Sequence, residues 1–334
     1  MNILDWLLRR NRTGVLTQER ARIDETLERI LQIIPRLRNA ANHRQRLTPA
    51  IATSLQYLDG LLASLPGCHE GTPDSWSTDP YIRAFFSTPA DIAIVFSRSE
   101  ELHKYFDHNP TVDYAYTTLG MTMNERHVFG VAMEGDMTRH DVQQTTLSFF
   151  DHRVTICART EADLRQEIEH RLVDQLALEG LAKLGADCRE LLEQGRALLQ
   201  QRLTLLQRQG IGMQSVVGGT DDMDAEEWIR VQAQIVQNAC DVAELTAPAK
   251  VIQHELDRVC EILGTPASHT YITKNRFCID QMNVIRSEGG RKIDFHVARI
   301  PANPVRMRAF ALVRFPRAQL LPVGLHFDAV IGGL

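Results

Sequence analysis

The apolar residues change their spacing partway along the chain, and that change sets the class of fold. Between Glu161 and Gln209, Leu164, Ile168, Leu172, Leu176, Leu184, Leu191, Leu198 and Leu203 recur at helical spacing. From Arg291 to Phe315 apolar and polar residues alternate instead. A helix turns its side chains with a period near 3.6 and a strand with a period of two, so one chain needs both kinds of element. The expectation is an α+β protein, rich in helix, ending in an antiparallel meander.

Turn and cap residues divide the chain further. Residues 1–66 read as a helical hairpin, with Pro35 kinking its first helix and Thr48-Pro49 opening its second. The Gly, Pro and Ser of 66–80 form a boundary. Residues 81–158 read as a small α+β module: Ile92 to Phe96 as a short strand, Ser97 with Glu100 as a capping box, and strands at 114–118, 127–133 and 145–158. Residues 159–264 form a helical bundle opened by Thr160 and Asp163, with a Gly-rich hinge at 210–219. Gly180, Gly185 and Gly195 each cost about 1 kcal/mol of helix propensity against Ala, which predicts a break near 180–186. Residues 265–334 form the β region, with strands at 271–285, 292–300 and 305–315.

Charge sets that last region apart. Residues 269–320 hold ten Lys or Arg against three acids, a net +7 in a chain whose formal charge is −5, leaving −12 for the remainder. Such a block meets something negative, either an outside anion or the protein's own carboxylates. Alternation along 305–315 turns Met307, Ala309, Ala311, Val313 and Phe315 toward a core. Arg306, Arg308, Phe310, Leu312 and Arg314 stand opposite, and Lys292, Asp294 and His296 share the outer face of the preceding strand. Guanidinium groups interleaved with an aromatic ring can grip phosphate or carboxylate while stacking a base. Arg306, Arg308, Phe310, Arg314 and Lys292 are therefore the candidate anion-binding residues. The acidic run Asp221 to Glu227 is the candidate internal cover.

A second concentration of chemistry lies in 103–152, which carries five of the 12 histidines. His127, Asp136, His140, Asp151 and His152 are the residue types that hold a metal or transfer protons, but their spacing matches no metal-binding signature. The six cysteines contain no C-x-x-C pair and are expected as free thiols. The glycines of 210–219 follow a helix and lack a succeeding Lys-Ser or Lys-Thr, which excludes a P-loop. No signal peptide or membrane span is evident, so the expected location is the cytoplasm.

The function expected from these features is non-enzymatic. The helices would mediate self-association, while the basic sheet contacts an anionic partner, nucleic acid or an acidic protein. The alternative is a metal-assisted hydrolase of a phosphate-containing substrate using the His and Asp of 103–152. The amphipathic residues 1–12 suggest docking on the chain itself or contact with a membrane surface. No cofactor is indicated.

Overall fold

The structure, a computed structural model, describes residues 3–134, 137–212, 221–286, 289–300 and 306–322, with side chains described except at 3–16, 131–134, 137–140, 208–212, 221–225, 249 and 306. The apolar pattern of residues 1–12, the Gly-rich stretch 213–219, Asp136 and the side chains of His140 and Arg306 thus lie outside the described residues. In chain order the elements are α1 (Ile3–Ile33), α2 (His43–Ala63), β1 (His69–Glu70), α3 (Ser75–Thr78), α4 (Pro80–Phe85), α5 (Pro89–Ser97), α6 (Glu100–His108), β2 (Tyr114–Glu134), β3 (Met137–Ala158), α7 (Glu161–Gly212), α8 (Asp221–Thr246), α9 (Pro248–Gly264), α10 (Pro266–His269), β4 (Tyr271–Ile279), β5 (Arg291–Ile300) and β6 (Arg306–Pro316). The mixture is α+β, as the spacing predicts. The chain divides into two units: residues 1–54 with 176–266, and residues 55–175 with 267–334.

The first unit is helical. Its core gathers Leu27, Ile30, Leu31, Leu37, Leu47 and Ile51 near the N-terminal end, and Leu256, Val259, Ile262 and Leu263 on α9, all essentially without exposed surface. Ser54 donates to the Leu263 carbonyl at 2.6 Å. Pro35 ends α1 rather than kinking it, and residues 35–39 form a 3-10 turn. Helix α2 begins at His43, ahead of the expected Thr48. The Thr48 hydroxyl donates back to the Arg44 carbonyl at 2.7 Å, so Thr48 lies inside the helix and Pro49 with it.

Helix α7 runs unbroken through Gly180 and Gly185. A Cβ on Gly180 would stand 2.7 Å from the Val259 Cα, so this glycine is where the backbone of α9 approaches α7. Close approach, not flexibility, explains its presence.

The second unit is built on one sheet of order β3-β2-β6-β5-β4, with β1 pairing in parallel to the far end of β6. Tyr114–Met121 of β2 runs antiparallel to Ala309–Pro316, and His296–Ile300 of β5 to Arg306–Phe310. The strands of 114–158 and those of 271–316 therefore belong to a single sheet. One face packs against α3 to α6 through Ile82, Phe85, Phe86, Phe96 and Phe106, which meet Leu119, Phe295, Ala309, Ala311, Val313 and Phe315. Phe96 and Phe315 stack in parallel with centroids 4.6 Å apart.

Local corrections have local causes. Ile92 to Phe96 belongs to helix α5, since Pro89 starts the helix and the Asp91 carboxylate accepts the Thr88 amide at 2.7 Å. The cap of α6 is Ser99, which accepts from the Leu102 amide, whereas Ser97 accepts from Leu321. The two strands expected at 114–118 and 127–133 form one, β2, paired along its length with β3. Strand β4 stops at Ile279 because Asp280 accepts the amides of Met282 and Val284 and turns the chain.

Candidate anion-binding cavity

The second face of the sheet carries the residues expected to bind an anion. It is only partly open. Leu312 is fully buried beside Leu62, Leu65, Ile156 and Leu164, so helices α2 and α7 cover one end of this face. Arg314 lies there as well; it pairs with Glu70 at 2.7 Å and covers the Tyr114 ring at 4.6 Å, which occupies it structurally. Lys292 is exposed near the start of β5. Arg308 and Phe310 face a cavity of about 420 Å³.

Small residues lower the floor of this cavity: Gly120 and Thr118 on β2, Thr155 on β3 and Ala298 on β5. Leu61 and Leu62 of α2, with Ile168 and Leu172 of α7, make an apolar wall. Four arginines, Arg153, Arg171, Arg299 and Arg308, line it, and no carboxylate does so among the described residues. Guanidinium groups stay charged at any physiological pH, so the cavity combines apolar surface with fixed guanidinium donors, three of the four held by carboxylates behind them.

Each arginine is positioned by neighbours. Asp151 pairs with both Arg308 and Arg153. Burial works against ionisation of Asp151, but the two guanidinium groups outweigh it and hold the carboxyl below its ordinary range. Arg171 bonds Glu101 at 3.3 Å and Glu167 at 3.2 Å, and Arg299 donates to the Ser268 carbonyl at 2.5 Å.

The opposite wall is shaped by irregularity in β3. Asp151 and Ile156 both adopt positive φ, at 51° and 57°, where the β2–β3 register shifts. A β-branched residue in the left-handed region costs on the order of 1–2 kcal/mol. The bulge frees the Ile156 amide from the ladder, and Glu101 accepts it at 2.8 Å. One carboxylate thus fixes both the bulge and Arg171, and the Ile156 side chain turns toward the cavity.

The other candidate residues are not brought together. His152 donates from Nε2 to the Phe85 carbonyl at 2.8 Å and stacks on Phe86, on the face opposite Asp151. Burial lowers its pKa and so favours the neutral ring. His127 meets Thr145 on the β2–β3 ribbon. Among the described residues no three His, Cys, Asp or Glu side chains gather to hold a metal ion. Burial, reinforced by Glu161 and Glu101 respectively, pushes the thiols of Cys68 and Cys157 up to about 12, so neither is a thiolate nucleophile near neutral pH.

Sequence reading misses Arg153, Arg171 and Gly120. Gly120 carries the one local signal, a glycine inside a strand pattern, which marks close approach or a space. The partners of the basic block are carboxylates of the same unit, Asp280 and Asp294 within the block and Asp151 and Glu70 far from it in sequence, with Asp294 pairing with Arg276 at 2.6 Å. Among the described residues no helix is long and apolar enough to cross a membrane. Compared with family models, curated proteins and solved structures, the chain has no match.

Proposed function

We propose that this is a non-enzymatic binding protein whose arginine-bearing sheet face takes an anionic partner, and that this partner is a small molecule joining an acidic head to an apolar body. The observation that carries the reading is the lining of the cavity: apolar walls, four arginines and no carboxylate among its described lining residues. Its volume lies in the range of small-molecule sites, roughly 300–1,000 Å³. A carboxylate or phosphate head would accept from guanidinium nitrogens, and the apolar body would cover Phe310, Leu62 and Leu172. Burial of Leu312 between Phe310 and Arg314 favours this ligand over a nucleic-acid strand lying along β6.

Titration calorimetry with decanoate, and with decanol as its uncharged counterpart, tests the proposal. Decanoate is expected to bind at one site per chain and decanol at least tenfold more weakly. Arg308→Ala should weaken decanoate. Gly120→Leu should abolish its binding without unfolding the protein, because a Cβ at Gly120 finds its nearest neighbour, the Arg153 carbonyl oxygen, 3.8 Å away. Equal binding of the two probes, or decanoate binding that survives Gly120→Leu, would refute the reading. Tight binding of a single-stranded oligonucleotide with a steep salt dependence, unaffected by Gly120→Leu, would replace it with nucleic acid.

A further inference from the structure

Helices α7 and α8 form an antiparallel pair: Leu191 accepts from Asn238, Gln201 donates to Glu227, and Arg202 lies over the Trp228 ring. The better-buried positions of α7 follow a heptad seam through Leu184, Leu191, Leu198 and Leu205, and those of α8 through Trp228, Val231 and Ile235. One residue beyond these seams, and at Leu203 one residue past Arg202, the side chains are apolar again, yet open. Leu192 is 51% exposed, Leu199 49%, Leu203 59% and Leu206 44%; on α8, Ile229 is 66% and Val236 54% exposed.

One residue turns a helix by about 100°. Because the two helices run in opposite directions, a step of one residue leads to the same side of the pair on both. The six side chains therefore share one face, two helices wide. Apolar patches on the order of 300–600 Å² on a soluble protein mark interaction surfaces.

Charge selects what covers this face. Residues 189–207 of α7 carry Arg189, Arg196 and Arg202 against Glu190 and Glu193, a net +1. Residues 226–246 of α8 carry Glu226, Glu227, Asp241 and Glu244 against Arg230, a net −3. We propose that the face is covered by a second copy of this chain, related by a two-fold axis parallel to the helices, so that α7 of each copy lies on α8 of the other. The alternative two-fold stacks α8 on α8 and sets two acidic helices against each other. In the chosen arrangement helical levels are kept, so the level pairs 191/238, 201/227 and 202/228 bring Leu192 level with Val236 of the second copy and Leu199 level with its Ile229. A two-fold interface of this kind is self-complementary and closed. It extends the seams already present into a four-helix arrangement with coiled-coil spacing. The inference is independent of the cavity.

Sedimentation velocity on the full chain over a concentration series is the test, with twice the chain mass of 37.8 kDa expected. The double variant Leu199→Glu with Val236→Glu alters exposed positions only and should give a monomer with unchanged far-UV circular dichroism. Leu199→Arg and Ile229→Glu should each weaken the dimer about tenfold, and the two together should restore it. A monomer at every concentration, or a dimer indifferent to the Leu199/Val236 pair, overturns the proposal. A dimer broken by that pair but not restored by Leu199→Arg together with Ile229→Glu overturns the α7-on-α8 arrangement.

Discussion

Two glycines five residues apart on α7 should respond in opposite directions to the same substitution. At Gly185 an added Cβ meets nothing within 4 Å. Ala there gains helix propensity, about 1 kcal/mol, with no steric cost. At Gly180 the same gain is opposed by contacts of 2.7 Å to the Val259 Cα and 2.9 Å to its amide nitrogen, where ordinary contact begins at 3.4 Å. Both atoms are backbone, so α9 as a whole must shift by a good fraction of an ångström. Overpacking of this kind costs roughly 1–3 kcal/mol. Gly180→Ala should therefore be neutral to about 2 kcal/mol destabilising, and the two variants should differ by about 1–3 kcal/mol. Urea denaturation followed by circular dichroism measures both midpoints, and a thermal scan should separate them by several degrees. If Gly180→Ala proves as stable as Gly185→Ala, the close approach of α7 and α9 is wrong.

Arg165 closes the C-terminal end of α2 by donating to the carbonyls of Leu62 at 2.7 Å, Pro66 at 2.8 Å and Leu65 at 3.4 Å. Arg165→Met leaves these acceptors without their charged donor and should cost roughly 2–3 kcal/mol, measurable by urea denaturation; a loss under half a kcal/mol would contradict the capping role. Two histidines should make stability depend on pH. Burial lowers the pKa of His152, and burial together with Lys274 lowers that of His296. A histidine held neutral binds fewer protons folded than unfolded, so its contribution is complete above the unfolded pKa of about 6.5 and is lost as pH falls below it. Denaturation midpoints at pH 7.5 and 5.5 should fall with pH, and the double variant His152→Phe with His296→Phe should flatten the trend; an equal slope in the variant would rule these residues out.

The class of fold and the core face of β6 were legible because both depend on local periodicity. Ala309, Ala311, Val313 and Phe315 alternate and all four are buried, whereas Met307, expected on the same face, is 46% exposed near the start of the strand. Ile92 to Phe96 was not legible as a helix from its apolar run, since five apolar residues fit either element, and the deciding signals, Thr88, Pro89 and Asp91, precede it. The heptad seam of α7 is hidden from a count of leucines because Cys188, Gly195 and Arg202 share its spacing. The anion site was legible only where it depends on β6. Arg308 and Phe310 follow from alternation, whereas Arg153, Arg171 and Gly120 reach the same cavity through pairing and helix packing that span 190 positions of sequence. Arg314 could not be separated from Arg308 by pattern, because Glu70 pairs with it through a two-residue strand too short to announce itself.

The position of β6 in the sheet constrains the order in which the fold can form. Strands β1, β2 and β5 all pair with it, yet it lies at residues 306–316. During synthesis β2 and β3 emerge about 150 residues before the strand that anchors them. Until then they can pair only with each other, and an isolated two-stranded ribbon is marginally stable in water. The aromatic side chains of α4 and α5 wait longer, about 200 residues, for Phe295 and Phe315. The helices of the intervening residues 176–266 meet much of their packing earlier. Closure of the sheet is thus a late event governed by long-range pairing, the slow step in folding, and the nascent chain must carry exposed apolar strand edges until β6 arrives.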